Sequence, residues 1–499
     1  MKKSIKYIAY GLSLLIVASC DLDLTPKGSI SFAPGQQLIK SESDVTGFEA
    51  NILASARGLE YGNLDVVSDL MMDYFSAASD NGNNYGPIHR TDASFTSSDY
   101  DTEDNWELPY AAIKNFNIFL DGSTEVPSEL LAKTKLVRGY AFFGRAYAYL
   151  HLARHFGKAY SSSAETDLCV PLVTVYDQSA RPERATVAQV YEQIKKDLDS
   201  AAVCLASATG EVRAKKPTID AVNALYARYY IDVKDYANAA SSAEKVINTE
   251  KYALSSTAEE MEAEWINDEG TEPILQYYAS TTEGAGGHTC YTMISKDDEV
   301  GLHYRAYYYP TQTLVSSYEE GDVRLAQWFD GEKHPCFHNS GYYNDETKNQ
   351  FKVFVKYYGN PTLYTGNPNS AQAIKPLLIS EMYLIAAEAY AQSGNTGAAT
   401  TMLNTLQQKR GASLTSGSMA NVKKEWYRET VGEGLRMSCL KRWGDGFTGR
   451  AVQPGTEPFI SKGAAYNEKV FAADDVHFQW PVPSYDMQTN LNLVQNPGY

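Results

Sequence analysis

The chain has 499 residues, with 44 Lys and Arg against 61 Asp and Glu, for a formal net charge of -17. With no Lys/Arg run beyond the first residues, that balance excludes nucleic acid as a partner, because the phosphate-neutralising term that dominates such binding would be repulsive. The expected ligand is neutral or weakly charged, and 37 Tyr against 17 Phe tilts the aromatics towards rings that carry a hydroxyl, suited to surfaces both apolar and wet.

Lys2, Lys3 and Lys6 accompany an apolar stretch from Ile5 to Val17, which ends at Val17-Ala18-Ser19-Cys20. Residues 1–19 therefore read as a secretion signal, and the apolar run falls short of the ~20 residues that a membrane-crossing helix needs. Small residues directly before a cysteine are the arrangement of bacterial lipoprotein signals, so Cys20 is expected to carry lipid; two or more acyl chains anchor stably where one does not. Residues 20–42 include Pro26, Gly28, Pro34 and Gly35 and show no helical period, as in an extended tether. The other cysteines, Cys169, Cys204, Cys290, Cys336 and Cys439, are scattered and odd in number, and no disulfide framework follows from them.

Apolar residues recur at helical spacing from Ser43 to Tyr61, and again from Asn105 to Leu120 through Tyr110, Ile113, Phe116 and Phe119. Between these helices a polar stretch from Ser76 to Glu103 reads as one long loop, and loops of that length are commonly functional. Lys135 to Phe156 and Thr186 to Leu205 are predicted helices, the second opened by Thr186 as N-cap with Gln189 three residues on. Pro217 to Val233 with Tyr236 to Thr249, and Pro376 to Gln392 with Thr396 to Arg410, read as two helical hairpins in one register. Setting Tyr230 on Tyr390 puts Ala227 on Ala387, Ala239 on Ala399, and the turn Lys234-Asp235 on Gly394-Asn395. Small residues at those places are what a tetratricopeptide pair needs where its helices cross closely. The helices 135–156 and 186–205 supply a further pair, with residues 157–182 inserted at its turn, since such repeats bury their faces only against neighbours.

From Glu269 to Tyr364 the pattern changes to short β-prone runs with clustered Tyr, Gly, Asn and Asp, an insertion of about residues 269–369 between repeats. Insertions on repeat scaffolds gather on one face, often the binding face. A stacking and hydrogen-bonding surface needs flat rings for the apolar faces of a ligand and a few placed polar groups to fix its orientation. The residues that fit are Asp80, Asn81, Asn83, Asn84 and Tyr85 in the polar loop, and Tyr304, Arg305, Tyr307, Tyr308 and Tyr309 in the insertion, with Trp328 and Tyr342 behind them. Trp106 and Trp443 sit in framework stretches and are assigned to the core.

Other chemistry finds little support. His334-Pro-Cys336-Phe-His338 has no second pair to complete a metal site, and Asp297-Asp298-Glu299 lacks the glycine and alternate spacing of a calcium loop. Gly284-Ala-Gly286-Gly287 is not followed by Lys-Ser/Thr. No Gly-x-Ser-x-Gly and no His-Glu-x-x-His occurs. The expectation is therefore no metal, no cofactor and no catalytic residue.

The order of framework stretches along the chain resembles the SusD/RagB family of outer-membrane nutrient-binding lipoproteins of Bacteroidota. The stretches are Trp106-Glu-Leu-Pro-Tyr110-Ala-Ala-Ile113-Lys-Asn115, Arg138-Gly-Tyr140-Ala-Phe142 through Phe156-Gly157, Val170-Pro171-Leu172, and Glu381 to Tyr390. Gly432-Glu433-Gly434-Leu435-Arg436, Leu440-Lys441-Arg442-Trp443-Gly444, Trp480-Pro481-Val482-Pro483 and Leu493 to Tyr499 complete the set, while Trp426-Tyr427 inside the acidic-basic run Glu425 to Glu429 departs from the family pattern. The resemblance implies an all-α dominated fold of about four tetratricopeptide-like pairs, as one domain over residues 43–499 with its scaffold at about 43–268 and 370–450. It also implies a loop-rich face that binds glycan or peptide, attachment to the outer membrane facing the exterior, and a SusC-like TonB-dependent barrel on which the protein sits as a lid. The family is not enzymatic. The alternatives are peptide capture of the RagB type, a surface glycosidase using the same tyrosine-rich cleft, and a tetratricopeptide adaptor for a protein tail.

Overall fold

The computed structural model describes residues 37–60, 64–79, 85–283, 286–287, 291–297, 301–329, 336–337, 351–366, 368–461 and 468–499. The signal, Cys20 and most of the tether lie outside these residues.

A capping box at Ser41 opens the first helix, Glu42–Arg57 (α1): Asp44 N donates to Ser41 Oγ and Ser41 N to the Asp44 carboxylate. Leu64–Met71 (α2) leads into the strand Phe75–Ala77 (β1), and Gly86–Arg90 (α3) follows. The stretch expected as a single loop from Ser76 to Glu103 is thus divided by regular structure. Tyr100–Gly122 (α4) starts earlier than Asn105 because the Asp99 carboxylate caps it, accepting from Thr102 N at 3.1 Å. Next come Leu131–Phe156 (α5) and the paired strands Leu168–Pro171 (β2) and Arg184–Thr186 (β3). Val187–Leu205 (α6) opens on the expected Thr186–Gln189 capping box. Ile219–Asp232 (α7), Tyr236–Ile247 (α8) and Ala258–Trp265 (α9) complete the first part of the scaffold.

In the insertion, Pro273–Leu275 (β4), Tyr291–Asp297 (β5), Gly301–Ala306 (β6) and Tyr308–Pro310 (β7) are joined by two short helices that the sequence pattern did not reveal, Gln312–Val315 (α10) and Val323–Phe329 (α11). Leu377–Leu378 (β8) pairs with β4, so the insertion leaves the scaffold and returns to it at one place. Ile379–Gln392 (α12), Thr396–Arg410 (α13), Met419–Glu429 (α14) and Arg436–Trp443 (α15) follow.

The helices stack in a continuous series in which α4 lies on α5, α5 on α6, α6 on α7, α7 on α8, α8 on α12, and α12 on α13. The two hairpins that match in sequence also match in backbone hydrogen bonding and capping at their turns. Asp235 N donates to Tyr230 O and Asn395 N to Tyr390 O, both at 2.9 Å. Lys234 and Gly394 take left-handed backbone, at φ 62° and 77°, and the side chains of Asp235 and Asn395 then cap α8 and α13. Ala227, Ala239, Ala387 and Ala399 are all fully buried at the crossings, where a larger side chain would force the helices apart. The closing stretch is tied to the end of α5, with Trp480 N donating to His155 O and Asn496 Nδ2 to Phe156 O.

Buried charge fastens the later elements to this frame. Glu388 on α12 accepts both Arg442 Nε (2.7 Å) and Nη2 (2.8 Å), and also the Trp443 indole N–H at 2.9 Å. Arg324 on α11 holds Asp322, Glu425 and Glu429, while Arg410 at the end of α13 holds Glu429 and Glu272. Removing one member strands a desolvated charge, at a cost of about 3–5 kcal/mol. Glu388→Ala is accordingly expected to lower the stability read from urea unfolding by ~3–5 kcal/mol. A loss under ~1 kcal/mol, the range of surface pairs, would show that α15 does not depend on this carboxylate.

Candidate functional site

The expected site rests on a short ladder. β1 and β7 pair antiparallel, with Phe75 opposite Pro310, Ser76 opposite Tyr309 and Ala77 opposite Tyr308. Beyond it Ala78 N donates to Tyr307 O (2.9 Å), Ser79 N to Phe459 O (2.8 Å) and Ser461 N to Ala77 O (2.6 Å). Three distant parts of the chain thereby meet. The Tyr85 ring lies edge-on to Tyr307 and Tyr308, with centroids 6.2 and 6.3 Å apart, so Ser79 and Tyr85, which flank residues 80–84, both stand beside the tyrosine run. Behind the ladder Arg450 fixes α2 and α3, donating to Met72 O at 2.6 Å and His89 O at 2.5 Å. Burial and the Arg450 charge push His89 well below the usual histidine range, and its Nδ1 sits 3.0 Å from the Leu70 carbonyl, to which it donates as a neutral ring.

Residues 27–231 match the profile of a SusD-like family described as "Starch-binding associating with outer membrane", and residues 271–499 match that of the SusD family. The chain belongs to the SusD family. Among solved structures, it shares its fold with a SusD superfamily protein from Bacteroides thetaiotaomicron at 23% identity and TM-score 0.74, covering 91% of this chain and 99% of that one. A SusD-like carbohydrate binding protein from Bacteroides vulgatus matches at 17% identity and TM-score 0.71, covering 90% and 97%. Surface glycan-binding protein A from Bacteroides fluxus matches at 17% identity and TM-score 0.66, covering 92% and 100%. No curated protein sequence matches the chain at a significant level.

In this SusD-family chain the residues picked from sequence are not equivalent. Asp80, Asn81, Asn83, Asn84 and Tyr342 lie outside the described residues, and Tyr304 and Arg305 are placed by their backbone in β6, opposite Met293 and Thr292 of β5. Tyr307 is half-buried at the ladder's edge. Tyr85, Tyr308, Tyr309 and Trp328 are instead core residues, 4%, 1%, 0% and 1% exposed, which corrects their assignment as stacking platforms: a ring with no open face cannot lie on a sugar.

The reason is the two-residue period of the strand. Tyr308 points into the main core against Phe75, at 4.7 Å between centroids, while Tyr309 points the opposite way into a second cluster with Ala78, Val353, Val355 and Ile460. Trp328 is held edge-on to Trp265, with the Lys356 ammonium 4.0 and 4.1 Å from the two ring centroids. Burial pushes that lysine down, and the Glu433 carboxylate, 2.6 Å from its Nζ, opposes the shift.

Sequence reasoning overlooked Phe351 and Phe459, two half-buried rings 6.0 Å apart that flank Tyr309. Nothing local marks them, since they reach the ladder only through pairing with remote segments. Among the described residues no group of His, Cys, Asp and Glu is arranged to hold a metal, and no helix is long and apolar enough to cross a membrane. His334 and His338 lie outside those residues.

Substitution separates the two kinds of tyrosine. Tyr308→Ala opens a core cavity and is expected to cost ~3–5 kcal/mol in chemical denaturation, the range for large aromatic truncations. Tyr307→Ala should cost less than ~1.5 kcal/mol. Equal losses would mean that both rings are packing residues.

Proposed function

We propose that the protein is a non-catalytic capture protein which binds oligosaccharide or polysaccharide at the ladder face, meaning the surface where the Tyr307 end of the β1–β7 ladder emerges, and delivers it to a SusC-like TonB-dependent transporter. In this reading the protein is lipid-anchored through Cys20 and faces the cell exterior. The observation that carries the reading is the meeting of Ser79 and Tyr85 with Tyr307, Phe351 and Phe459 at one ladder. Half-buried rings that carry a hydroxyl or lie beside one suit a ligand with apolar ring faces and many hydroxyls. The net charge of -17 favours a neutral ligand, and the description of the matching family together with those of the two carbohydrate-binding relatives points the same way.

The test is calorimetric titration with a panel of neutral glycans, combined with chromatography for cleavage products. Tyr307→Ala is expected to weaken the best binder roughly tenfold, equivalent to ~1.4 kcal/mol, with an unchanged circular dichroism spectrum. Unchanged affinity would remove the ladder face from the site, and accumulation of shorter products would make the protein an enzyme.

Attachment is tested separately. Cells expressing Cys20→Ala should release the protein from the membrane fraction; retention there would refute the lipid anchor.

A further inference from the structure

The β1–β7 ladder has a second end. Past Phe75 and Pro310 its hydrogen bonding continues, with Thr311 N donating to Tyr74 O (2.9 Å) and Thr311 Oγ1 to Asp73 O (3.1 Å). There a cleft of about 700 Å³ opens between α10 on one side and α14 and α15 on the other, within the size range of small-molecule sites. The three-residue ladder puts its two ends only ~10 Å apart along the strand.

Two aromatic residues line the cleft. Tyr427 is buried beneath the Arg436 guanidinium, which stands 4.7 Å from its ring centroid, and Trp443 is the half-buried ring, with its indole N–H fixed on the buried Glu388. Trp443 was assigned to the core from its place in a framework stretch; one side does pack there, and the other lines this cleft. Because a buried carboxylate fixes the indole, the ring is oriented before any ligand arrives.

The charges in the lining are opposed in pairs. Arg436 holds Asp73 at 2.8 and 2.9 Å, Lys423 holds Asp445 at 2.6 Å with its ammonium over the Trp443 ring at 5.3 Å from the centroid, and Arg428 stands 3.8 Å from Glu319. Among the described residues, Lys424 on the exposed rim is the cation of this lining with no ion pair. An anion entering the cleft would meet three carboxylates, and a cation would meet the paired guanidinium and ammonium groups. What the lining offers is fixed donors and acceptors with little net charge, next to the half-buried Trp443 ring. A neutral, polyhydroxylated ring with one apolar face matches that description.

We propose that this cleft is a second saccharide subsite, which takes a neutral pyranose against Trp443 and is separate from the ladder face. It rests on the glycan reading for the class of ligand and not for its location.

The experiment uses the full chain and four probes, maltoheptaose, xylohexaose, mannohexaose and, as the acidic control, trigalacturonate, read by calorimetry and by tryptophan fluorescence. Thr313→Trp adds bulk from the exposed wall of the cleft and leaves the ladder face unchanged. In a Tyr307→Ala background, residual binding of a neutral probe should persist, and adding Thr313→Trp should weaken it by roughly tenfold or more. The cleft proposal is overturned if Thr313→Trp leaves that residual affinity unchanged, if trigalacturonate binds the Tyr307→Ala protein more tightly than every neutral probe, or if no probe binds the wild type. Should Tyr307→Ala alone change nothing while Thr313→Trp removes binding, the ladder face falls and the cleft stands.

Discussion

Glu429 is shared by two buried arginines that arrive from different parts of the chain, Arg324 from the insertion and Arg410 from the end of the second matching hairpin. Each of these ions gives up several kcal/mol of hydration on burial, and only a full set of partners offsets it. Arg324 therefore needs Asp322, Glu425 and Glu429 together, and Arg410 needs Glu429 and Glu272. An insertion that slid by one residue would orphan at least one of them. The network stabilises one placement of the insertion against the frame chiefly by making the alternatives costly. The position of the β1–β7 ladder follows from that placement.

The frame itself is a repeat in the strict sense at its turns. Two hairpins separated by the whole insertion use the same backbone bond, a left-handed residue at the same position and a side-chain cap at the next. Because α8 packs directly on α12, the stack runs on as if the insertion were absent. The insertion is thus free to carry binding surface without interrupting the burial on which a repeat array depends.

The ladder is buried on both faces, which explains how so short a pairing can position a site. Tyr308 anchors it in the main core and Tyr309 in a second cluster, leaving only its ends available. One end gathers Ser79 and Tyr85 with Tyr307, and the other leads into the cleft lined by Tyr427 and Trp443. Paired charge recurs along this path, from Asp73 with Arg436 to Glu388 with Arg442. Binding surface and core are therefore continuous, with rings fixed by carboxylates that also hold the fold.

Local rules were enough for the helical frame. The spacing of Ala227 and Ala239, repeated at Ala387 and Ala399, predicts the close crossings because helix contact is a near-neighbour property, and Thr186 with Gln189 predicts a cap because both partners lie within one turn. The ordered framework stretches were likewise legible, and they carried the family. The individual site residues were not. A tyrosine run looks the same whether its rings face ligand or core, and a strand buried on both sides shows no alternation of apolar and polar residues to separate the two. Phe459 reaches the ladder through a bond to Ser79 across 380 positions, and Trp443 opens on a cleft whose other wall belongs to the insertion. Residue chemistry and short-range spacing belong to the sequence; which face of a ring remains open is decided only when distant segments pack.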